Sequence, residues 1–248
     1  MWSSAPSSTS IDFTRRVSPR ELPELMDGDC SYEDFRGCLH SLEQVNRWLL
    51  GYRPTMAWLD RLPRELNRPL HVVDVGSGGG DLLRQIAGWA RRRGIAVQLT
   101  GIDLNPYAAR AAVESTPKAL GISWVTGDAL VYQPEKPVDI VVSSLTAHHL
   151  EDREIIALLR WMDTTARGGW FLNDLERSER SYRLFGWVAA VVRWHPFVRH
   201  DGPVSFRRAF REQDWARLLA SAEVPRQTVT VEHWRPGRLC VGRWKGRG

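Results

Sequence analysis

Lysine is nearly missing from this chain of 248 residues. Lys118, Lys136 and Lys245 are the only lysines, so arginine carries almost all of the positive charge behind the net +5. The arginines are scattered along solvent-facing helix positions, and the runs Arg91-Arg92-Arg93 and Arg207-Arg208 are short. Tracking a phosphate backbone needs clustered charge, so no nucleic-acid partner is expected. Cysteine is scarce too. Cys30, Cys38 and Cys240 make no even disulfide framework and match no zinc spacing. A reducing cytoplasm is the expected compartment, and no metal is expected. Long apolar runs are also lacking. The longest, Leu184 to Val198, is broken by Arg193, His195 and Pro196, whereas a membrane span needs roughly 20 apolar residues. Stable membrane insertion is therefore not expected, although Arg183 and Arg193 beside that run permit contact with a lipid surface. The residues after Met1 are polar and Ser-rich, so no signal peptide is expected.

What the chain does have is a rhythm. Residues 1–20, rich in Ser, Thr and Pro, read as a flexible tail. Residues 21–66 read as a helical cap segment. Phe35, Cys38, Leu39, Leu42, Val45 and Leu49 recur at helical spacing, with Ser31 and Asp34 as an N-terminal cap. A second helix is predicted from Pro54 to Leu62, with Pro63 just past its end. From residue 67 strands and helices alternate. Strands are predicted at 71–75, 97–102, 122–126, 138–143 and 169–174, and helices at 81–93, 106–114 and 152–165. Such alternation argues for a parallel sheet with helices on both faces. An aromatic, Arg-rich helical insert at about 176–213 interrupts it. A helix at 211–222 and two strands, Gln227–Trp234 and Arg238–Trp244, follow, the strands joined by a turn at Pro236-Gly237.

The most informative stretch is His71-Val-Val-Asp-Val-Gly-Ser-Gly-Gly-Gly-Asp81. A buried strand runs through glycines into an amphipathic helix, which brings backbone N–H groups and a helix start close to a ligand. A dinucleotide fingerprint would need a third glycine where Asp81 stands, which disfavours a nicotinamide-dependent oxidoreductase. Asp74 beside Gly76, Gly78 and Gly80 suits a cationic ligand and would repel a pyrophosphate. The pattern of hydrophobic-Asp-hydrophobic-Gly-x-Gly-x-Gly resembles the first motif of class I S-adenosylmethionine-dependent methyltransferases. Asp103, which closes the second strand, suits the two hydroxyls of a ribose because a carboxylate offers two acceptor oxygens. Gly127-Asp128-Ala129 after the third strand is similar to the family motif that meets adenine.

The resemblance covers about residues 70–175 and the C-terminal hairpin. It implies a Rossmann-like, doubly wound α/β sheet, mostly parallel with an antiparallel C-terminal hairpin strand. N-terminal helices and the insert would form a cap. It implies S-adenosylmethionine as cofactor, held by Asp74, Gly76, Ser77, Gly78, Gly80, Asp103, Leu104, Asp128, Ala129, Ser143 and Ser144. His148 and His149, after the fourth strand, would face the transferred methyl group. His149 is the first candidate for a general base, since imidazole titrates near neutral pH, with His148 second and Asp174 to orient a histidine. Arg177, Tyr182 and Trp187 are candidate substrate contacts in an aromatic-walled lid. The implied activity is O-methylation of a small aromatic or polyketide-like molecule by a monomer or homodimer. C-methylation of a phenol or quinol ring is the runner-up, and a non-catalytic cofactor-binding protein the third reading.

Overall fold

The computed structural model describes residues 11–62, 68–192 and 194–246. Residues 1–10 of the expected tail, Pro63 and Arg193 lie outside that range. Seven strands form one sheet in the order β3-β2-β1-β4-β5-β7-β6. In chain order these are β1 (Leu70–Val75), β2 (Val97–Asp103), β3 (Ser123–Thr126), β4 (Ile140–Ser144), β5 (Gly169–Leu175), β6 (Val229–Trp234) and β7 (Arg238–Trp244). β1 to β5 pair in parallel, while β7 runs antiparallel to both β5 and β6. Every residue of β1 is buried, as a central parallel strand covered on both faces must be.

Helices α3 (Asp81–Arg93), α4 (Pro106–Ser115), α5 (Asp152–Thr165) and α8 (Glu212–Ser221) flank the sheet. Side chains alternate along each strand, so the two faces feed two cores. Val73, Val141 and Leu172 pack with Ile155, Leu159, Trp215 and Leu218 of α5 and α8. Val72, Ile140 and Phe171 pack with Leu83 and Ile86 of α3 and with Trp58 of α2 (Arg53–Leu59). Trp58 sits between Trp244 and Phe171, at ring distances of 4.1 and 5.3 Å, and this stack docks α2 on the sheet. Helix ends follow local chemistry. The Ser31 hydroxyl accepts from the Asp34 N–H at the start of α1 (Tyr32–Trp48), and Asn105 does the same for Tyr107 at the start of α4. Gly94 ends α3 in the left-handed conformation.

The cap has its own core. α6 (Glu179–Val192) and α7 (Pro196–Arg208) pack on α1 through Cys38, Val45, Phe185, Trp194 and Phe206. The aromatic side chains Phe185, Trp194 and Phe206 thus hold the cap together. A short 3-10 turn, Leu25–Asp27, is pinned to α7 because Asp201 accepts from the Leu25 and Met26 N–H groups at 2.9 and 3.1 Å.

Residues 11–20 correct the expectation of a loose tail that reaches residue 20. Phe13 and Val17 are buried. The Arg16 guanidinium donates to the carbonyls of Leu150 and Arg208 at 2.7 and 2.8 Å and pairs with Asp152 at 2.9 Å. Two apolar side chains and one arginine that meets carbonyls at element ends suffice to dock a segment whose composition is otherwise polar. Among the described residues no helix is long and apolar enough to cross a membrane.

Candidate active site

Parallel register brings the C-terminal ends of the strands to one edge. Asp103 pairs with Thr126, Val75 with Ser143, and Ser144 with Asn173. Strand order reverses beside β1, and open α/β sheets bind ligands at that crevice. The glycine turn sits there. Gly76 and Gly80 hold φ of +70° and +74°, which L side chains rarely adopt. A Cβ on Gly76 would meet Thr146, and one on Gly80 would meet Trp124. Leu39 of α1 lies over Gly78 and Gly79, so the first cap helix covers the turn.

Two carboxylates frame the turn. Asp103 accepts from the Gly78 N–H through one oxygen and from the Asn105 N–H through the other, both at 2.9 Å. Burial raises its pKa, against those two N–H groups and the charge of His149. Asp74 is 2% exposed, and its Oδ1 has no hydrogen-bond partner. Burial, with the charges of Asp81 and Asp103 behind it, raises the Asp74 pKa well above the usual carboxylate value. An orphaned, buried acceptor beside a glycine turn fits a cationic ligand group, such as the ammonium of S-adenosylmethionine, better than any phosphate. Asp128 caps the short turn Ala129–Val131 by accepting from Leu130 at 2.8 Å, and it stands exposed beside the buried Ala129. Leu104 is 67% exposed on the same rim.

An Asp74→Asn variant follows from this geometry. The apo protein should gain about 1–3 kcal/mol at pH 8, because a buried, unpaired charge is removed. A carboxyl whose folded pKa is raised favours the fold in its neutral form. That advantage is present at low pH and lost as pH rises through the folded pKa, so the gain should fade toward acid. Cofactor affinity should fall. Thermal denaturation at pH 5 and pH 8, with and without cofactor, checks both.

The remaining expected cofactor contacts divide. The Ser77 side chain is buried, with its Oγ against Gly101. The Ser143 Oγ is buried, donates to the Val75 carbonyl at 2.7 Å and ties β4 to β1. Ser144 is half-buried at the end of β4.

The two histidines stand on a 3-10 turn, Ala147–His149, with ring centroids 4.3 Å apart. The buried His148 places Nδ1 2.7 Å from Asp174 Oδ1. Asp174 is thus hydrogen-bonded to a histidine ring. Burial works against its ionised form, but the His148 ring and the Leu175 N–H keep its pKa below the usual value. His149 places Nδ1 2.8 Å from Asp27 Oδ1. Burial opposes a charge on His149, but Glu24 and Asp27 outweigh it and push the pKa up to about 9. In this arrangement His149 is a cation at neutral pH, which argues against the base role expected of it.

Three residues that sequence reasoning missed complete the cluster. Glu24 lies 3.9 Å from His148 Nε2 and 3.8 Å from His149 Nε2. The fully buried Arg208 side chain reaches Glu24 at 3.3 Å and Asp27 at 3.0 Å, and its Nε donates to the His148 carbonyl. Nothing local in the sequence marks Glu24, Asp27 or Arg208. Only the fold brings them to residues 148 and 149.

The expected substrate contacts are corrected. The Arg177 side chain is fully buried. It donates to the carbonyls of Phe13 and Ala209 and pairs with Asp214 at 2.8 Å, so it braces the junction of β5 and α8. Trp187 is 67% exposed on the outer side of α6. Tyr182 is half-buried, edge-on to Phe13 at 5.4 Å.

Comparison with known proteins agrees with this geometry. The profile of the methyltransferase domain family matches residues 72–169. The trans-aconitate 2-methyltransferase of Streptomyces avermitilis is 31% identical over 206 residues, which cover 79% of this chain and 74% of that protein. The ubiquinone biosynthesis O-methyltransferase of Vibrio cholerae is 23% identical over 234 residues, 92% of this chain and 88% of that one. Among solved structures, human N-acetylserotonin methyltransferase in complex with S-adenosylmethionine shares the fold at a TM-score of 0.58, with 15% identity over 87% of this chain and 57% of that one. The strand order, the glycine turn between two carboxylates and these relatives lead to one conclusion: this chain belongs to the class I S-adenosylmethionine-dependent methyltransferases that act on small molecules.

Proposed function

We propose that the protein transfers the methyl group of S-adenosylmethionine to an oxygen of a small aromatic or polyketide-like acceptor. The observation that carries the reading is the buried Asp174–His148 pair on the loop after β4, beside the charged His149. A sulfonium is already a strong electrophile. What an oxygen acceptor needs is alignment with the methyl group and support for the negative charge left when its proton leaves. Positioning alone can contribute about 7–11 kcal/mol. Cationic groups in a water-poor site stabilise the developing oxyanion, and the charged ring of His149 supplies one here.

In this reading Asp74, Asp103, Asp128 and the glycine turn hold the cofactor. His148 and His149 meet the acceptor oxygen, and Asp174 fixes the ring of His148. The cap of α1, α6 and α7 excludes water. A carboxylate oxygen is a second acceptor type to test, because the Streptomyces relative is named for trans-aconitate.

The test is incubation with methyl-deuterated S-adenosylmethionine and separate panels of phenols, quinols and carboxylic acids, read by mass spectrometry. Fragmentation should place the label on oxygen. A label on ring carbon would overturn the O-methylation reading in favour of C-methylation. Asp174→Asn should lower kcat by about 10²–10⁴-fold, the usual contribution of a positioned acid–base group, and leave the cofactor Kd within about threefold. An unchanged kcat would remove the histidine pair from the chemistry.

A further inference from the structure

The buried cluster around His148 and His149 has more carboxylates than a single proton relay needs. Glu24, Asp27 and Asp174 all approach the two rings. Among the described residues Arg208 is the one guanidinium within ion-pair distance of any of the three. It offsets one negative charge of three. The side chains of Glu24, His148 and Asp174 are at most 3% exposed, so water does little to screen what remains. The balance stays negative, although Arg16 and Arg238 also act on Asp174 from farther away. Protons on the rings or a bound cation would offset it.

In the metal-free protein His149 carries a proton, and a bound dication would displace it; the orientation of the two rings suits that exchange. Each ring gives Nδ1 to a carboxylate, His148 to Asp174 and His149 to Asp27. With the proton held on Nδ1, the lone pair stands on Nε2. Both Nε2 atoms then turn to the same carboxylate, Glu24. Glu24, His148 and His149 each offer one ligand atom, and these atoms lie within 4.8 Å of one another. A first-row metal at about 2.0–2.2 Å from each ligand needs them roughly 3.0–3.5 Å apart, so the side chains must close by about 0.5–1 Å on binding. A ligating histidine almost always passes its other N–H to a carboxylate or carbonyl, which sets the tautomer and strengthens the donor. Here both do so.

We propose that His148 Nε2, His149 Nε2 and the Glu24 carboxylate form a binding site for one divalent first-row transition metal. Two histidines and a carboxylate suit zinc, iron(II), cobalt(II) or manganese(II) and leave positions open for a further ligand. Such a cation would hold an acceptor oxygen and favour its deprotonated form. That role rests on the methyltransferase reading above, whereas metal binding itself does not. Arg208, against Glu24 and Asp27, offsets part of the negative charge beside the site.

The test uses the full-length protein, stripped with chelator, and cobalt(II) as the probe. One equivalent should bind and give ligand-field absorption in the visible range. Glu24→Gln and His149→Asn should each weaken binding at least tenfold with circular dichroism unchanged. Asp27→Asn, which only orients a ligand, should weaken it by about 10–100-fold. His233→Asn, on the exposed histidine beside Glu212, should leave it unchanged. Absence of stoichiometric cobalt, or equal binding by wild type and both ligand variants, would overturn the site. Full methyl transfer by metal-stripped protein would overturn the catalytic role of the cation and leave the methyltransferase reading standing.

Discussion

Replacing Asp103 with alanine is expected to raise the Kd for S-adenosylmethionine by a hundredfold or more. Asp103 is the acceptor that the fold sets at the end of β2, where both its oxygens already hold backbone N–H groups of the turn. Each oxygen has a further lone pair for a ribose hydroxyl. A hydrogen bond to a charged group contributes about 1.5–3 kcal/mol, so two of them correspond to roughly 10²–10⁴ in affinity. The variant also frees the Gly78 N–H, which loosens the turn that faces the cofactor. Isothermal titration calorimetry gives the Kd directly, and circular dichroism should show the fold retained. A change below about threefold would mean that the cofactor does not lie against β2.

The second large effect concerns stability. Arg177→Met should destabilise the protein by about 3–5 kcal/mol, the cost of leaving one partner of a buried ion pair alone. For a chain of this size that corresponds to a fall of roughly 6–20 °C in Tm. The loss has several parts. Asp214 keeps its charge at the start of α8 without its partner, and the carbonyls of Phe13 and Ala209 lose their donors. The docked segment 11–20 loosens with them. The KM for the acceptor, measured well below the new Tm, should be unchanged. A raised KM with an unchanged Tm would return Arg177 to the substrate contacts that its place after β5 first implied.

These two residues show what a sequence can and cannot reveal. Asp103 was legible because it follows the glycine turn by one strand–helix–strand interval, which the sheet topology fixes. The limits of α3 and α5 were legible for a similar reason: Gly80, Gly94 and the Glu151–Glu154 capping pair lie within a few residues of the ends they set. Arg177 was not. An arginine just past a strand reads the same whether it meets a ligand or a buried aspartate 37 positions later. Glu24 and Asp27 fall in a segment whose composition carries no sign of where it docks. The role of the insert's aromatic side chains could not be decided from the sequence because a pocket wall and a helix interface require the same residue types. Asp81 shows a further case. It entered as the residue that breaks a dinucleotide fingerprint, yet it also accepts from Tyr52 at 2.6 Å and Asn46 at 3.2 Å, joining α3 to the cap.

The site therefore divides by how its parts are connected. The cofactor half is built by neighbours in sequence, a strand end and the turn after it. The acceptor half is built by the histidine loop, the docked N-terminal segment and α7, which only the tertiary fold unites. On the proposed reading, specificity for the acceptor resides in that second half, where Glu24, Asp27 and Arg208 surround the histidines.

One measurement bears most directly on the account. Wild-type protein and Asp103→Ala, each at saturating acceptor from the panel and a fixed low cofactor concentration, are given methyl-deuterated S-adenosylmethionine. S-adenosylhomocysteine and labelled product are quantified together. Wild type should yield the two in equal amounts, with the label on oxygen, and the variant should yield almost none of either. Cofactor bound tightly by wild type, with neither product formed from any acceptor class, would contradict the proposed transfer.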